Sequence, residues 1–496
     1  MLYEVAIIGA GFAGLGAAIR LTLSGRHSFV VFERAGDVGG TWRENTYPGC
    51  ACDVPSHLYS FSFAPNPNWS KAFSPQPEIQ NYLQQCVDRF GIRDQIRFNT
   101  EIVSTVWQEE AANWQLTDRQ GNVTTARVVV AAVGPLNRPS VPKLSGLETF
   151  TGTTFHSARW NHDYDLAGKR VAIIGTGASA IQIVPELAPI AEQLTVFQRT
   201  APYIIPRNNR RYASWQQRLY GQLPALQKLH RGFFYWLNEL GGLSFVGNDT
   251  LNKLATFQAR KHMESQISDP DLRRKAWPPY KLGCKRVLVS DDYYPALTRP
   301  NVELVTDRIT DVTPTGIRTA DGQERPFDVL IFSTGFVVAD IYLNQTLTGR
   351  NGRSLLDEWA QTGAQALLGT TISGFPNLLF LLGPNTGLGH NSVVHMVESQ
   401  LNYFIDYLQT LENAGDGAFL DVKPDVQETH NANLQQQLTG TVWASGCQSW
   451  YMNERGRNTT LWPALTVSYR KQTRRINLAD YTIEHAEQLE TVPGHE

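Results

Sequence analysis

Short runs of β-branched and apolar residues alternate with helix-spaced apolar positions along much of this 496-residue chain. Residues 3–8 (Tyr-Glu-Val-Ala-Ile-Ile) are near-continuously apolar, the pattern of a parallel strand buried on both faces. Residues 15–23 carry apolar side chains at helical spacing, and residues 29–32 form a second strand pattern. Three further strands are expected at 102–107, 114–117 and 127–133, with Arg119-Gln-Gly121-Asn as a turn between two of them. A breaker-rich stretch, Gly134 to Pro142, then ends this first half.

The opening pattern recurs at 170–180, where a β-branched strand, a glycine loop and a helix follow one another again, with a second strand at 194–197. Between the two units, residues 150–161 fit neither period. This run packs Phe150, Phe155, His156, Arg159 and Trp160 into twelve positions, and is expected to be an aromatic linker docked against its surroundings. Residues 206–285 differ again, with helical spacing at 215–219, 223–230, 233–240 and 251–263 separated by Gly and Pro. The aromatic cluster Phe233-Phe-Tyr-Trp236 within it is expected to be core rather than a membrane-facing or substrate-capping surface. Strands at 302–305 and 329–332 close the second unit. A strand and glycine turn at 375–385, followed by a helix over 393–411, return the chain to the first.

Composition narrows the classes. A net charge of −2 without a Lys/Arg run argues against a nucleic-acid surface. No apolar stretch approaches the roughly 20 residues that span a bilayer, and no secretory signal pattern opens the chain. Five scattered cysteines (50, 52, 86, 284, 447) are expected to be reduced thiols in a cytoplasmic protein, without metal-ligand spacing. The C-x-C of Cys50 and Cys52 is not a thioredoxin-type centre, so both are expected to be ordinary thiols. Oligomeric state is left open.

Chemistry enters with the two glycine loops. Gly9-Ala-Gly11-Phe12-Ala13-Gly14 lies between strand and helix, the context in which a G-x-G-x-x-G cradles a pyrophosphate at a helix N-terminus. Gly175-Thr176-Gly177-Ala178-Ser179-Ala180 repeats it with Ala in the third glycine's place, where only a small residue is needed. The strand after the first loop ends at Glu33 and the strand after the second at Arg199, each 24 positions beyond its first glycine. A carboxylate suits a ribose hydroxyl, whereas a guanidinium pairs with a 2′-phosphate. The first site therefore suits FAD and the second NADP(H), implying electron flow from nicotinamide to flavin.

Two patterns sharpen this. Phe150, Gly152, His156 and Trp160 match F-x-G-x-x-x-H-x-x-x-W-(P/D), with Asn161 in place of the final Pro or Asp. Residues 39–53 match (A/G)-G-x-W-x-x-x-x-(F/Y)-P-(G/M)-x-x-x-D through Gly39, Gly40, Trp42, Tyr47, Pro48, Gly49 and Asp53. Over nearly its whole length the chain resembles the type I Baeyer–Villiger monooxygenases, within the wider flavin-containing monooxygenase group. That resemblance implies an α/β fold of two Rossmann-like domains: an FAD-binding domain at 1–145 and 335–496, and an NADP-binding domain at 146–334 with a helical insertion at about 206–285. It implies FAD and NADPH as cofactors, a ketone and O2 as substrates, and an ester or lactone formed through a C4a-peroxyflavin and a tetrahedral peroxy intermediate. Arg286 resembles the active-site arginine, with Asp53 as its paired carboxylate. Lys285, Arg199 and Thr200 match positions that hold the 2′-phosphate, beside Gly175 to Ser179. Gly9 to Gly14, Glu33, Gly40, Thr41, Trp42, Ala51, Cys52, Asp53, Tyr59 and Val103 match FAD-contacting positions, and Trp450 resembles the tryptophan of a loop that folds over NADP. His156 is expected to couple the two domains rather than to catalyse. Two other readings share parts of this logic: oxidation of sulfides or amines by a flavin monooxygenase, and a flavoprotein reductase that does not oxygenate.

Overall fold

The computed structural model describes residues 2–337, 345–447 and 449–486. It is an α/β structure built on two sheets. In the first, Leu2–Ile8 lies between Phe29–Phe32 and Val123–Ala131, parallel to both, with Val5 opposite Phe29 and Val128. Val5, Ala6, Ile7, Val128, Val129, Val130 and Ala131 are all fully buried, which is why these strands read as unbroken apolar runs. Ile102–Gln108, Asn113–Asp118 and Val123–Ala131 form an antiparallel meander at one side of this sheet, turning at Gly121. The expected return is present: Leu378–Phe380 pairs with Val123–Ala131, and the Val393–Asn413 helix packs on the Phe12–Leu23 helix.

The second sheet is wholly parallel, in the order Val302–Val305, Gln193–Phe197, Arg170–Ile174, Val329–Phe332, Thr153–His156. Its last strand corrects one expectation. The run at 150–161 is not connector throughout: Thr153–His156 within it is the edge strand of this sheet, with Phe155 opposite Ile331. Edge strands are commonly short, and four residues are too few to show a clear alternation. Gly152 is required there, because a Cβ at that position would lie 2.5 Å from the Asp328 carbonyl.

The insertion is helical but differs in two ways from its pattern. Pro224–Gly242 is one continuous helix through Gly232, between Ser214–Gln222 and Asp249–Gln266. Isolated glycine weakens a helix by about 1 kcal/mol without ending it. The aromatic cluster is also not core throughout. Phe233 is 62 % and Trp236 57 % exposed, while the side chains that this helix buries include Gln227 and Glu239. Its polar face points inward, because it lies over polar carbonyls and amides rather than over an apolar sheet.

A third correction concerns the cysteines. Cys50, Cys52 and Cys86 are free and buried, but Cys284 and Cys447 form a disulfide across 163 residues of sequence. Scattered spacing concealed this pair, since pairing depends on how the fold returns the chain and not on sequence distance.

Candidate functional site

The two glycine loops are built alike. Gly9 has φ +106°, and a Cβ there would come within 2.6 Å of the Ala132 carbonyl; Gly175 has φ +109°, with the Ser333 carbonyl at 2.4 Å from the same position. Both loops therefore pass against the end of a neighbouring parallel strand, where no side chain fits. A cleft opens beyond the first loop, walled by Gly11, Phe12, Thr41, Trp42 and Tyr59 among others. Glu33, nearly buried, accepts hydrogen bonds from the Ala10 and Ala35 amides at 2.9 Å each and faces this cleft. Trp42 Nε1 donates to the Tyr59 hydroxyl at 3.1 Å, fixing both rings in the wall. Ile102 lines the cleft, with Val103 its neighbour on the same strand. Ala13 and Gly14 lie in the first turn of the helix, and Gly40 precedes the turn that begins at Thr41.

Across the molecule, the second loop leads through Ser179 into the Ala180–Leu187 helix. Thr176 donates to the Thr200 carbonyl at 3.2 Å, joining the loop to the end of the next strand. Arg199 is exposed beyond that strand. Burial, and after it the Arg199 charge, lowers the Lys285 ammonium below its usual range. Among the described residues neither cation sits in an ion pair, so two positive groups face one region without a counter-charge. Lys285 Nζ also stands 5.1 Å from the centre of the Tyr280 ring.

Between the two loops lies the segment from Tyr47 to Asp53. Gln182, on the second unit's helix, donates to the Ala51 carbonyl at 3.0 Å and accepts from the Ala51 amide and the Tyr47 hydroxyl. A Cβ on Gly49 would meet the Gln182 carbonyl at 2.6 Å. The Tyr-Pro-Gly of that motif is thus a close-packed seam between the glycine-loop units. Gln182 has no sequence signal of its own, since a glutamine on a helix is usually solvated.

Asp53 ends this segment and meets Arg286. Arg286 donates from Nε and Nη2 to the same Asp53 carboxylate oxygen, at 3.0 and 2.7 Å, and from Nη1 to the Leu388 carbonyl at 3.4 Å. The neighbouring Asp53 charge raises the guanidinium pKa further, overcoming burial, so Arg286 is a fixed cation. Two further residues complete the surroundings. Arg207 donates to the Cys52 carbonyl at 2.8 Å, and burial lowers its pKa. Tyr451 is fully buried within electrostatic reach of Arg286 and Asp53, its hydroxyl without a partner among the described residues. Trp450, the sequence candidate, stands 46 % exposed beside it. Cys447, three residues earlier, is tied to Cys284 next to Lys285, so the disulfide holds this tail segment against the turn that carries Lys285 and Arg286. Burial raises the thiols of Cys50, to about 12, and Cys52, so neither is a nucleophile.

His156 lies at the crossing between the sheets. Its Nδ1 accepts from the Ala158 amide at 3.1 Å, its ring lies 6.0 Å from Phe336, and burial lowers its pKa. Two connections run side by side there: Ser140 donates to the Gly335 carbonyl, and Thr334 donates back to the Ser140 carbonyl. Phe155 stacks edge-on against Trp160 at 5.1 Å. Arg159 pairs with Glu44 at 3.2 Å, linking the run to the first unit. Phe150 packs on a cluster under the second sheet.

A fold of one mixed and one wholly parallel sheet, with paired glycine cradles and a shared cationic centre, defines a two-dinucleotide oxidoreductase, and the flavin-binding monooxygenase-like family matches residues 3–356. The chain belongs to that family. It is 48 % identical to a Baeyer-Villiger monooxygenase of Streptomyces coelicolor over 97 % of this chain and 92 % of that one. A Baeyer-Villiger monooxygenase of Pseudomonas aeruginosa is also 48 % identical, over 96 % and 91 % of the two chains. Among solved structures, a closed cyclohexanone monooxygenase superposes with a TM-score of 0.87 at 29 % identity, covering 98 % and 99 % of the two chains. An oxidized steroid monooxygenase bound to NADP superposes at 0.86 and 30 % identity, covering 98 % and 100 %.

Proposed function

We propose that this protein is an NADPH- and O2-dependent Baeyer–Villiger monooxygenase that converts ketones to esters or lactones. The observation that carries the reading is the fixed Arg286–Asp53 pair between two dinucleotide cradles. We assign 1–145 and 335–496 to FAD binding and 146–334 to NADP binding, with the insertion at about 206–285; positions 1, 338–344, 448 and 487–496 of the first assignment lie outside the described residues.

The residues fit both cofactors. The side-chain-free approach at Gly9 and the Glu33 carboxylate suit the pyrophosphate and ribose of FAD; the Gly175 cradle with Arg199, Thr200 and Lys285 suits NADP(H). The chemistry a bound FAD supplies, once reduced by NADPH, is activation of O2 for transfer of one oxygen atom to the substrate. What this chain's residues add is electrostatic. Arg286 offers N–H groups and a permanent charge to the negative charge that develops on the ketone oxygen as an oxygen nucleophile adds to the carbonyl carbon. It gives up no proton in doing so. Asp53 takes two of its N–H groups and holds the plane of the guanidinium, and Leu388 anchors the third direction. A carbon then migrates from the former carbonyl carbon to the added oxygen as the O–O bond to that oxygen breaks: the C=O re-forms from the oxyanion, the distal oxygen departs with the electron pair and, once protonated, ends as water, and the ester remains.

A fixed cation favours an anionic nucleophile and a carbonyl acceptor over the neutral electrophilic oxygen transfer that sulfides and amines need. A panel of cyclic and linear ketones beside a thioether and a tertiary amine, followed for NADPH consumption and for product by gas chromatography, tests this. Esters or lactones are expected, with sulfoxide slower. NADPH consumption with sulfoxide or N-oxide and no ester would overturn the reading. The place of action is proposed to be the cytoplasm, where NADPH is regenerated; no helix among the described residues is long and apolar enough to cross a membrane.

A further inference from the structure

The Pro224–Gly242 helix has its amphipathic sense reversed. Toward the protein it turns polar groups: Gln227 donates to His57 Nδ1 and the Asn66 carbonyl, Arg231 donates to the His57, Leu58 and Ser60 carbonyls, and Glu239 accepts from Asn391 and Thr466. Toward the outside it turns Leu229 (71 % exposed), Phe233, Trp236, Leu237 and Leu240, at the 3–4 residue spacing of one helix face. Trp215 and Leu223 extend the patch along the preceding helix, and between the two helices lies an apolar groove of about 360 Å³ floored by Tyr220 and His230. An exposed contiguous patch of this kind marks an interaction surface.

Charge says what covers it. Residues 206–285 hold 14 Lys and Arg against 5 Asp and Glu, a net +9 in a chain of net −2, so the remainder carries −11. Exposed Arg218 and Lys228 lie on the two patch helices themselves. The next helix repeats the combination, with exposed Leu254 and Phe257 between Lys253 and Lys261. A second copy of this chain meeting the face symmetrically would set the exposed Arg218 and Lys228 of one copy against the same cations of the other. We propose that the outward face of the Ser214–Gln222 and Pro224–Gly242 helices docks on an anionic phospholipid surface, its aromatic and leucine side chains in the headgroup–acyl boundary and its Lys and Arg at the phosphates. This stands independently of the ketone reading. It places the polar inner face of the docked helix directly over the segment that leads into the flavin cleft, through His57 to Ser60.

The test is cosedimentation of the FAD-loaded enzyme with vesicles of phosphatidylglycerol and phosphatidylcholine, and with phosphatidylcholine alone, at low and raised salt. Binding to the anionic vesicles is expected, weakened by salt and by Lys228→Glu, each unit of charge being worth about fivefold in partition. Phe233→Ser with Trp236→Ser should lower it about tenfold or more, with thermal stability and NADPH oxidation in solution unchanged. Failure to sediment with anionic vesicles at low salt, or equal binding to both vesicle types, overturns the proposal. So does a dimer in analytical ultracentrifugation that the Phe233/Trp236 variant dissociates while vesicle binding is absent.

Discussion

Removing the Arg286 side chain separates the chemistry from the cofactor sites. In Arg286→Ala the Asp53 carboxylate loses both of its guanidinium hydrogen bonds, and the site loses its fixed positive charge. Two routes give the magnitude. A unit charge about 4 Å from a developing oxyanion is worth about 4 kcal/mol at an effective dielectric constant of ~20. Loss of one preorganised electrostatic donor ordinarily costs about 10²–10³ in rate, or roughly 3–4 kcal/mol. The two agree, so ester formation should fall by about a hundred- to a thousand-fold. The fold should survive: the Arg286 and Asp53 side chains are 31 % and 27 % exposed, so solvent screens the pair. Its loss should cost more than the ~1 kcal/mol of a surface pair and less than the 3–5 kcal/mol of a fully buried one.

The assay has two stages. Anaerobic mixing with NADPH, followed by bleaching of the flavin absorbance, reports cofactor binding and reduction; admission of air with ketone then reports ester by gas chromatography. Arg286→Ala should bleach at close to the wild-type rate and consume NADPH without making ester. Arg286→Lys keeps the charge without the planar fork and should recover part of the activity. Ester formation by Arg286→Ala near the wild-type rate would refute the electrostatic role. An equal loss of flavin reduction would move Arg286 to the nicotinamide instead.

Other consequences follow from the same geometry. Arg199→Glu should raise KM for NADPH by about ten- to a hundred-fold and leave NADH nearly untouched, from the roughly 1.5–3 kcal/mol of a hydrogen bond to a charged group; parallel losses with both nucleotides would show that Arg199 does not read the 2′-phosphate. The protein unfolded without reductant should titrate three thiols and after reduction five. Cys284→Ser with Cys447→Ser should lower stability by up to about 5 kcal/mol, the loop-entropy figure for so long a loop, and raise KM for NADPH by releasing the segment before Trp450; five thiols without reductant would refute the bridge. Burial pushes His57 and His395 down to about 3 and His430 to about 4. Because these rings charge more readily in the unfolded chain, stability is retained above pH ~6.5 and lost as pH falls from there toward 4, at up to about 1.4 kcal/mol per histidine per pH unit. A melting temperature flat between pH 7 and 5 would count against these burials.

What was legible in the sequence followed from local steric demand. Gly9 and Gly175 announce themselves because a positive φ beside a strand carbonyl tolerates no side chain, and Glu33 and Arg199 because each lies one or two residues beyond the end of the parallel strand next to its glycine loop. The parallel strands were readable because burial on both faces leaves no polar positions to interrupt them. Arg286 was different: two adjacent cations entering a strand look solvated, and family resemblance, not spacing, paired Arg286 with Asp53 across 233 positions.

The misreadings share a physical origin, which is that the partner surface decided them. Thr153–His156 is a strand because Val329–Phe332 offers it an edge. Cys284 and Cys447 bond because the tail folds back over the turn that carries Lys285 and Arg286. The sequence of the Phe233–Trp236 cluster reads as core, since large aromatic side chains are mostly buried. Yet the surface beneath its helix is made of the His57, Leu58 and Ser60 carbonyls and the Asn391 amide, which demand Arg231 and Glu239 in return. Burying Phe233 or Trp236 there would leave those carbonyls unpaired, at about 1–3 kcal/mol each. The apolar face was therefore forced outward by the polar one, and an exposed aromatic stripe on this helix is a consequence of how the helix anchors itself on the His57–Ser60 segment.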